Sequence, residues 1–294
     1  MAHDSPELLV RIINRLEAPN HFFFIYLDKK NQCGNEDMIK YIYHHCPISG
    51  GGEKIVIKNG NVYYGGYSMI QAEIRLLKYA FKNKNIDYFH LISGHDYPCK
   101  SNIEFDSFFE SCDNGRSFMK FDSDEQHILW QQKIFDRVSN WYLHDFDNKF
   151  KHRYRIERFL NSHCPRKQNY EFFAGWNWFS WHRNLVQWVL SYLNRHPRFR
   201  WRFMFTDCCD EVIFHTLLQS RMEELNIDRF NSLRYIDWFP NRQAETLPLI
   251  LDERDYEAIL RSNSMFCRKV FLGKSDRLLE MLDALAAYEA VSKH

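Results

Sequence analysis

Apolar residues recur along this chain in blocks of two kinds, one at helical spacing and one strand-like. Leu8, Leu9, Ile12, Ile13 and Leu16 predict a helix over residues 5–16. Residues 22–27 then read as a buried strand that closes on the polar run Asp28-Lys29-Lys30. Residues 55–57 predict a short strand before a turn at Asn59-Gly60-Asn61. Ser68 is placed to cap a helix, with Gln71 closing a capping box and Ile70, Ile74, Leu77 and Phe81 forming its buried stripe. A strand over 87–92 runs into the polar loop Ser93-Gly94-His95-Asp96-Tyr97-Pro98. A helix over 100–111 and a strand over 118–121 follow, and Asp122-Ser123-Asp124 comes directly after that strand.

Residues 126–167 show little periodicity and read as irregular helices and loops. The aromatic run 170–180 is strand-like, residues 184–193 are helical, and 233–238 is a further strand. A short helix is expected over 252–261. Arg268 and Lys269 then sit side by side on an apolar segment, and an amphipathic helix covers 275–288. Residues 284–294 are expected to be a partly disordered tail. Strands alternating with helices, each strand ending in polar residues, predict an α/β fold with a mostly parallel central sheet flanked by helices. The site is expected along the edge where the strands end.

The stretch Thr206-Asp207-Cys208-Cys209-Asp210-Glu211-Val212-Ile213-Phe214 carries the candidate chemistry. Polar residues give way there to an apolar run, as at a helix start. Asp210 is placed to cap that helix and Glu211 to lie in its first turn, where the helix dipole favours a negative charge. A carboxylate at the rim of a fold is a candidate general base. Acids at helix starts more often only cap, so the rest of the chain has to decide.

Composition narrows the classes. Hydrophobic residues make up 45% of the 294 positions, enough for a large core, so general disorder is excluded. The net charge of +1 gives no global field for nucleic acid. No apolar run is long enough to span a membrane, and Met1-Ala2-His3-Asp4 does not begin a signal peptide. The 8 cysteines lack metal-ligand spacing and are expected to be reduced thiols of a cytoplasmic protein; a Cys208-Cys209 disulfide is the alternative at that pair.

Seven motifs appear in one order: Tyr26-Leu27-Asp28-Lys29-Lys30, Tyr64-Gly65-Gly66-Tyr67-Ser68, Leu91-Ile92-Ser93-Gly94-His95-Asp96-Tyr97-Pro98, Gly175-Trp176-Asn177-Trp178-Phe179, Cys209-Asp210-Glu211-Val212-Ile213-Phe214-His215, Ile236-Asp237-Trp238 and Phe266-Cys267-Arg268-Lys269-Val270. Together they resemble the core-2/I-branching β-1,6-N-acetylglucosaminyltransferase family, which includes the peptide O-xylosyltransferases. The resemblance implies a GT-A-type fold, a UDP-sugar donor, a glycan acceptor and inversion at the anomeric carbon. It implies one glycosyltransferase domain over 1–294: a mainly nucleotide-binding half over 1–115, a mainly acceptor and catalytic half over 116–274, and a C-terminal helix and tail over 275–294.

By position, Glu211 matches the family's catalytic base, and Arg268 and Lys269 match its diphosphate-binding cations. Asp28 and Tyr64 match positions near the uridine and ribose. His3, in the segment expected beside the base, joins this donor set. Trp176 and Trp178 are candidates for stacking against an acceptor sugar, and Asp122 for hydrogen bonding its hydroxyls; core packing is the ordinary alternative for either tryptophan. The family implies no metal and no other cofactor. A metal-dependent route would instead use Asp122 and Asp124.

Some features depart from the family. Xylosyltransferases carry an acid at the position of Asn177, the first strand reads as short or truncated, and the stem and membrane anchor of animal enzymes are missing. The form looks like bacterial members associated with surface polysaccharide synthesis, acting in the cytoplasm or at the inner face of a membrane. UDP-N-acetylglucosamine is the expected donor. UDP-xylose, or a non-catalytic sugar-binding relative, is the alternative. Nothing in the chain indicates an oligomeric state.

Overall fold

The computed structural model describes residues 5–30, 35–46, 54–146, 150–167 and 170–292. In chain order the elements begin α1 (Pro6–Leu16), β1 (Phe23–Asp28), α2 (Asn35–His45), β2 (Ile55–Gly60), α3 (Tyr67–Ala80), β3 (Tyr88–His90), β4 (Asp96–Pro98) and α4 (Asn102–Glu110). They continue through β5 (Ser117–Phe121), α5 (Asp124–Ser139), α6 (Arg153–His163), β6 (Gly175–His182), α7 (Arg183–Arg195) and α8 (Pro197–Phe203). The last are α9 (Ile213–Leu218), β7 (Ile227–Asp228), β8 (Arg234–Ile236), α10 (Tyr256–Arg261), β9 (Phe266–Arg268) and α11 (Asp276–Ser292). The chain divides into two compact units, one of Met1–Asn59, Leu91–Asn114 and Leu233–His294, the other of Gly60–His90 and Gly115–Ser232.

In the first unit, α1 begins as its sequence predicts. Ser5 is the N-cap, its hydroxyl accepting from Leu8 N–H, and Pro6 follows where its missing N–H costs nothing. Leu9, Val10 and Ile13 of α1 pack with Met38 and Ile42 of α2 and with Ile25, Leu27 and Ile55 of the β1–β2 pair. A second sheet has the order β4-β9-β8, antiparallel at β4–β9 and parallel at β8–β9. Within the stretch expected to be a tail, α11 continues to Ser292, and residues 293–294 lie outside the described residues. Leu278, Leu279 and Leu282 are fully buried. Asp283 accepts hydrogen bonds from Arg11 at 2.8 Å and from the Tyr97 hydroxyl at 2.6 Å.

The second unit is built on a sheet of order β3-β6-β5-β7. Its central strand β6 runs antiparallel to both β3 and β5, and β5 pairs with β7 in parallel. The α/β class and the parallel pairs are as expected, and the mixed architecture is consistent with a GT-A-type fold. The sheets are nevertheless less parallel than the strand–helix alternation implies. Periodicity identifies strands but not which distant strand inserts between two others, nor in which direction. On β6 the side chains alternate as a pleated strand requires. Phe179 and Trp181 are buried and stacked with ring centroids 3.8 Å apart, while Trp176 and Trp178 point to the opposite face, half-buried.

Three local readings need correcting. Residues 126–167 hold two regular helices, α5 and α6, where irregular helices and loops were expected. Ser123 caps α5 through a capping box with Gln126, but α6 buries little, so no apolar stripe announces it. Gly66, not Ser68, is the N-cap residue of α3. Ser68 lies in the first turn, where its N–H donates to Asp145 at 3.0 Å and its hydroxyl accepts from Tyr63 N–H at 2.8 Å. A side chain at Gly66 would collide with the Asp145 carboxylate. Finally, Asn59-Gly60 continues β2 instead of turning, and α8 was not foreseen. Its sequence alternates like a strand, but Pro197 opens it and Phe199 and Phe203, four apart, are buried on one face.

Candidate active site

The second unit holds the acid-bearing turn. Phe205 and Cys208 have positive φ angles of 66° and 45°, and a 3₁₀ turn spans Cys209–Glu211. Glu211 N–H donates to Cys208 O at 3.1 Å and Val212 N–H to Cys209 O at 3.2 Å. The backbone satisfies these donors itself, and α9 starts only at Ile213, so the expected cap by Asp210 does not form. Asp210 turns inward, 6% exposed, and accepts from Asn177 Nδ2 at 3.0 Å. Burial, with the Glu211 charge beside it, pushes its carboxyl up to about 7. Beneath it Glu73 of α3 is 1% exposed, with no hydrogen-bond partner among the described residues for either carboxylate oxygen. Burial first, and then Asp210, hold Glu73 well above the usual carboxylate range.

Glu211 turns the other way. Its side chain is 40% exposed and receives Arg137 Nη1 of α5 at 2.7 Å. Arg137 is in turn flanked by Asp207, its Nε 4.0 Å from Oδ2. His144 Nε2 donates to Asp207 Oδ1 at 2.8 Å, and Arg153 Nη2 donates to His144 Nδ1 at 3.0 Å, which fixes the proton of neutral His144 on Nε2. Burial opposes ionisation of Asp207, yet the His144 hydrogen bond and Arg137 hold it below the usual range. The loop Tyr64-Gly65 docks on this turn, Gly65 O accepting from Cys208 N–H at 3.0 Å. Tyr64 is 87% exposed. Cys208 and Cys209 are free thiols. The arrangement presents one outward carboxylate, oriented by a guanidinium and backed by a carboxyl that titrates near neutrality. Such a group can accept a proton from a bound hydroxyl.

Asp122 follows β5 directly, its N–H donating to Ala174 O at 3.0 Å. It lines a cavity of about 210 Å³ together with Asp124, His127, Phe173, Gln219 and Arg229. Burial and then the Glu211 charge raise the Asp122 carboxyl above its ordinary value. Asp124, by contrast, begins α5 and pairs with Arg229 at 3.1 Å. Among the described residues no three His, Cys, Asp or Glu side chains converge as metal ligands do. Trp176 and Trp178 do not line this cavity, and the Lys120 ammonium sits 4.2 Å over the Trp176 ring.

The remaining donor-side candidates fall in the first unit. Asp28, at the end of β1, accepts from Lys30 N–H at 3.1 Å. Arg268 Nη1 donates to Ser93 Oγ at 2.7 Å and to Asp96 Oδ1 at 3.2 Å, and Asp96 is fully buried. Arg234 lies beside the same carboxylate; burial lowers its guanidinium to about 10, against the pull of Asp96. Lys269 follows, half-buried, with its ammonium 5.3 Å over Phe271. His3 lies outside the described residues. The structure thus groups Tyr64, Asp122 and Glu211 in one unit, and Asp28, Arg268 and Lys269 in the other.

Sequence reading missed Arg137, Asp207, His144, Asp210's inward turn, Glu73 and Asp96. Only Asp207, Asp210 and Asp96 fell inside quoted motifs. Glu73 was hidden in a regular helical stripe, where an acid reads as surface.

A sequence model of the family described as Core-2/I-Branching enzyme matches residues 2–260. The chain is also 23% identical over 237 residues to xylosyltransferase 2 of Rattus norvegicus, covering 78% of this chain and 25% of that protein. It is 23% identical over 236 residues to xylosyltransferase 2 of Mus musculus, covering 78% and 25%. The chain therefore spans about a quarter of the length of these curated relatives. The chain belongs to the Core-2/I-branching enzyme family.

Proposed function

We propose that this chain transfers N-acetylglucosamine from its UDP derivative to a glycan hydroxyl, with inversion and with Glu211 as general base. The observation that carries this reading is the outward Glu211 carboxylate, set by Arg137 at 2.7 Å in a chain of this family. Inversion needs one base on the acceptor side, and positive charge where the diphosphate leaves. Arg268 and Lys269 are the proposed cations, with Asp28, Tyr64 and His3 on the nucleoside side. Asp122 and the 210 Å³ cavity are proposed for an acceptor hydroxyl-bearing ring, with Trp176 and Trp178 as proposed stacking surfaces. No metal or other cofactor is invoked. The proposed setting is surface polysaccharide synthesis in a bacterial cytoplasm, with an oligosaccharide or lipid-linked glycan as acceptor.

UDP-xylose is a second donor reading, favoured by the xylosyltransferase relatives. Against it stands Asn177, which holds Asp210 rather than supplying an acid. The test is UDP release from each donor with a panel of glycan acceptors. Glu211→Gln should lower turnover by about 10²–10⁴ while UDP still raises the melting temperature. Near wild-type turnover in this variant removes Glu211 from the mechanism.

A further inference from the structure

We infer that α6 and its flanking residues form a docking surface for an anionic lipid bilayer. The helix lies on the surface of the second unit. Its inner face is Arg153, Glu157 and Leu160, and the rest is exposed. Arg153 is buried and pairs with Glu157 at 3.1 Å, and Glu157 also accepts from Leu143 N–H at 2.7 Å, so this face is anchored to the protein.

The outer face is of another kind. Ile156, Phe159 and His163 recur at helical spacing, and the His163 ring stacks on Phe159 with centroids 4.6 Å apart. Phe159 is 58% exposed and Tyr154 72%. Beside this apolar stripe stand Lys151, Arg155, Arg158 and Lys167, all exposed. Of the six cations over residues 150–167, Arg153 pairs with Glu157 and Arg166 donates to the carbonyls of Asn140, Phe205 and Met204, which leaves four exposed cations and no exposed acid in that stretch.

Charge complementarity selects an anionic partner, and the aromatic stripe selects one with an apolar phase just below its charges. A convex helix, exposed along its length, fits a flat bilayer rather than a peptide that needs a groove. Lys and Arg can reach headgroup phosphates while Phe159 and Ile156 enter the acyl boundary.

Sedimentation with phosphatidylcholine vesicles, with and without phosphatidylglycerol, tests this at low and high ionic strength. The protein should sediment with the phosphatidylglycerol vesicles only, and less at high ionic strength. Arg155→Glu with Arg158→Glu should lower partitioning by about tenfold or more. Phe159→Ser should weaken vesicle binding while leaving heparin binding unchanged. All three side chains are exposed, so the variants keep the fold, and an unchanged melting temperature checks this. Absence of sedimentation with phosphatidylglycerol vesicles, or equal sedimentation of the Arg155 and Arg158 variant, overturns the inference. So does vesicle binding that ignores Phe159→Ser, which marks a general polyanion contact instead. The readout is independent of sugar transfer, so its failure is separable from failure of the proposed function.

Discussion

Asp210 and Glu211 are chain neighbours with opposite surroundings, and their chemistry differs for that reason. Asp210 titrates at about 7 in the fold against an ordinary 3.8. Between those values the folded protein keeps a proton that the unfolded chain has lost. Stability therefore falls as pH rises through that window, and the cost persists above it. A difference of that size corresponds to on the order of 4 kcal/mol as an upper figure. Asp210→Asn removes this cost, so the variant's melting temperature relative to wild type should rise between pH 5 and pH 8. A constant difference across that range would show that Asp210 is ionised throughout. His215 works in the opposite sense. Burial lowers it to about 4 from 6.5, so the fold loses stability as pH falls through that range. The side chain donates from Nε2 to Lys120 O at 3.1 Å, a bond that needs only the neutral ring.

At the scale of elements, the turn before α9 is held by three neighbours. Cys208 N–H reaches the loop before α3, Asn177 of β6 reaches Asp210, and Arg137 of α5 reaches Glu211. Arg137→Met should lower turnover without weakening UDP binding, because the base loses its orientation while the donor side is untouched. The β5–β6 pairing depends on Gly175, which lies opposite Phe121. A Cβ there would collide with Lys120 O and the His215 ring. Gly175→Ala should cost about 1–3 kcal/mol, read from the urea midpoint, as overpacking does. The helix α11 shows the converse: it is held at Asp283, which has Arg11 and Tyr97 to bind.

At the scale of the whole molecule, the predictions concern the donor. Lys269→Ala should weaken UDP binding far more than uridine binding, since only the phosphate contact goes. Arg268→Ala should also lower the melting temperature, because fully buried Asp96 loses a charged partner. Activity is expected to persist in EDTA. Carboxylates hold a diphosphate only through a cation, whereas the proposed residues Arg268 and Lys269 would bring positive charge themselves. Loss of turnover in EDTA with recovery on added manganese would instead assign Asp122 and Asp124 to a metal.

The sequence by itself determined what local physics encodes. The stripe of α1, the apolar strands β1 and β5, and the order of the motifs were all legible, because periodicity acts within a few residues. Glu211 stood out too, as an acid where a polar turn gives way to an apolar run. Tertiary structure alone decided which way each acid of the pair faces. It also supplied the partners that define them: Arg137, 74 residues from Glu211, and Asn177, 33 residues from Asp210. It decided that β6 runs against both its neighbours, and that an acid in the stripe of α3 is buried. Burial and long-range pairing depend on what distant segments bring together, and no window along the chain contains that information.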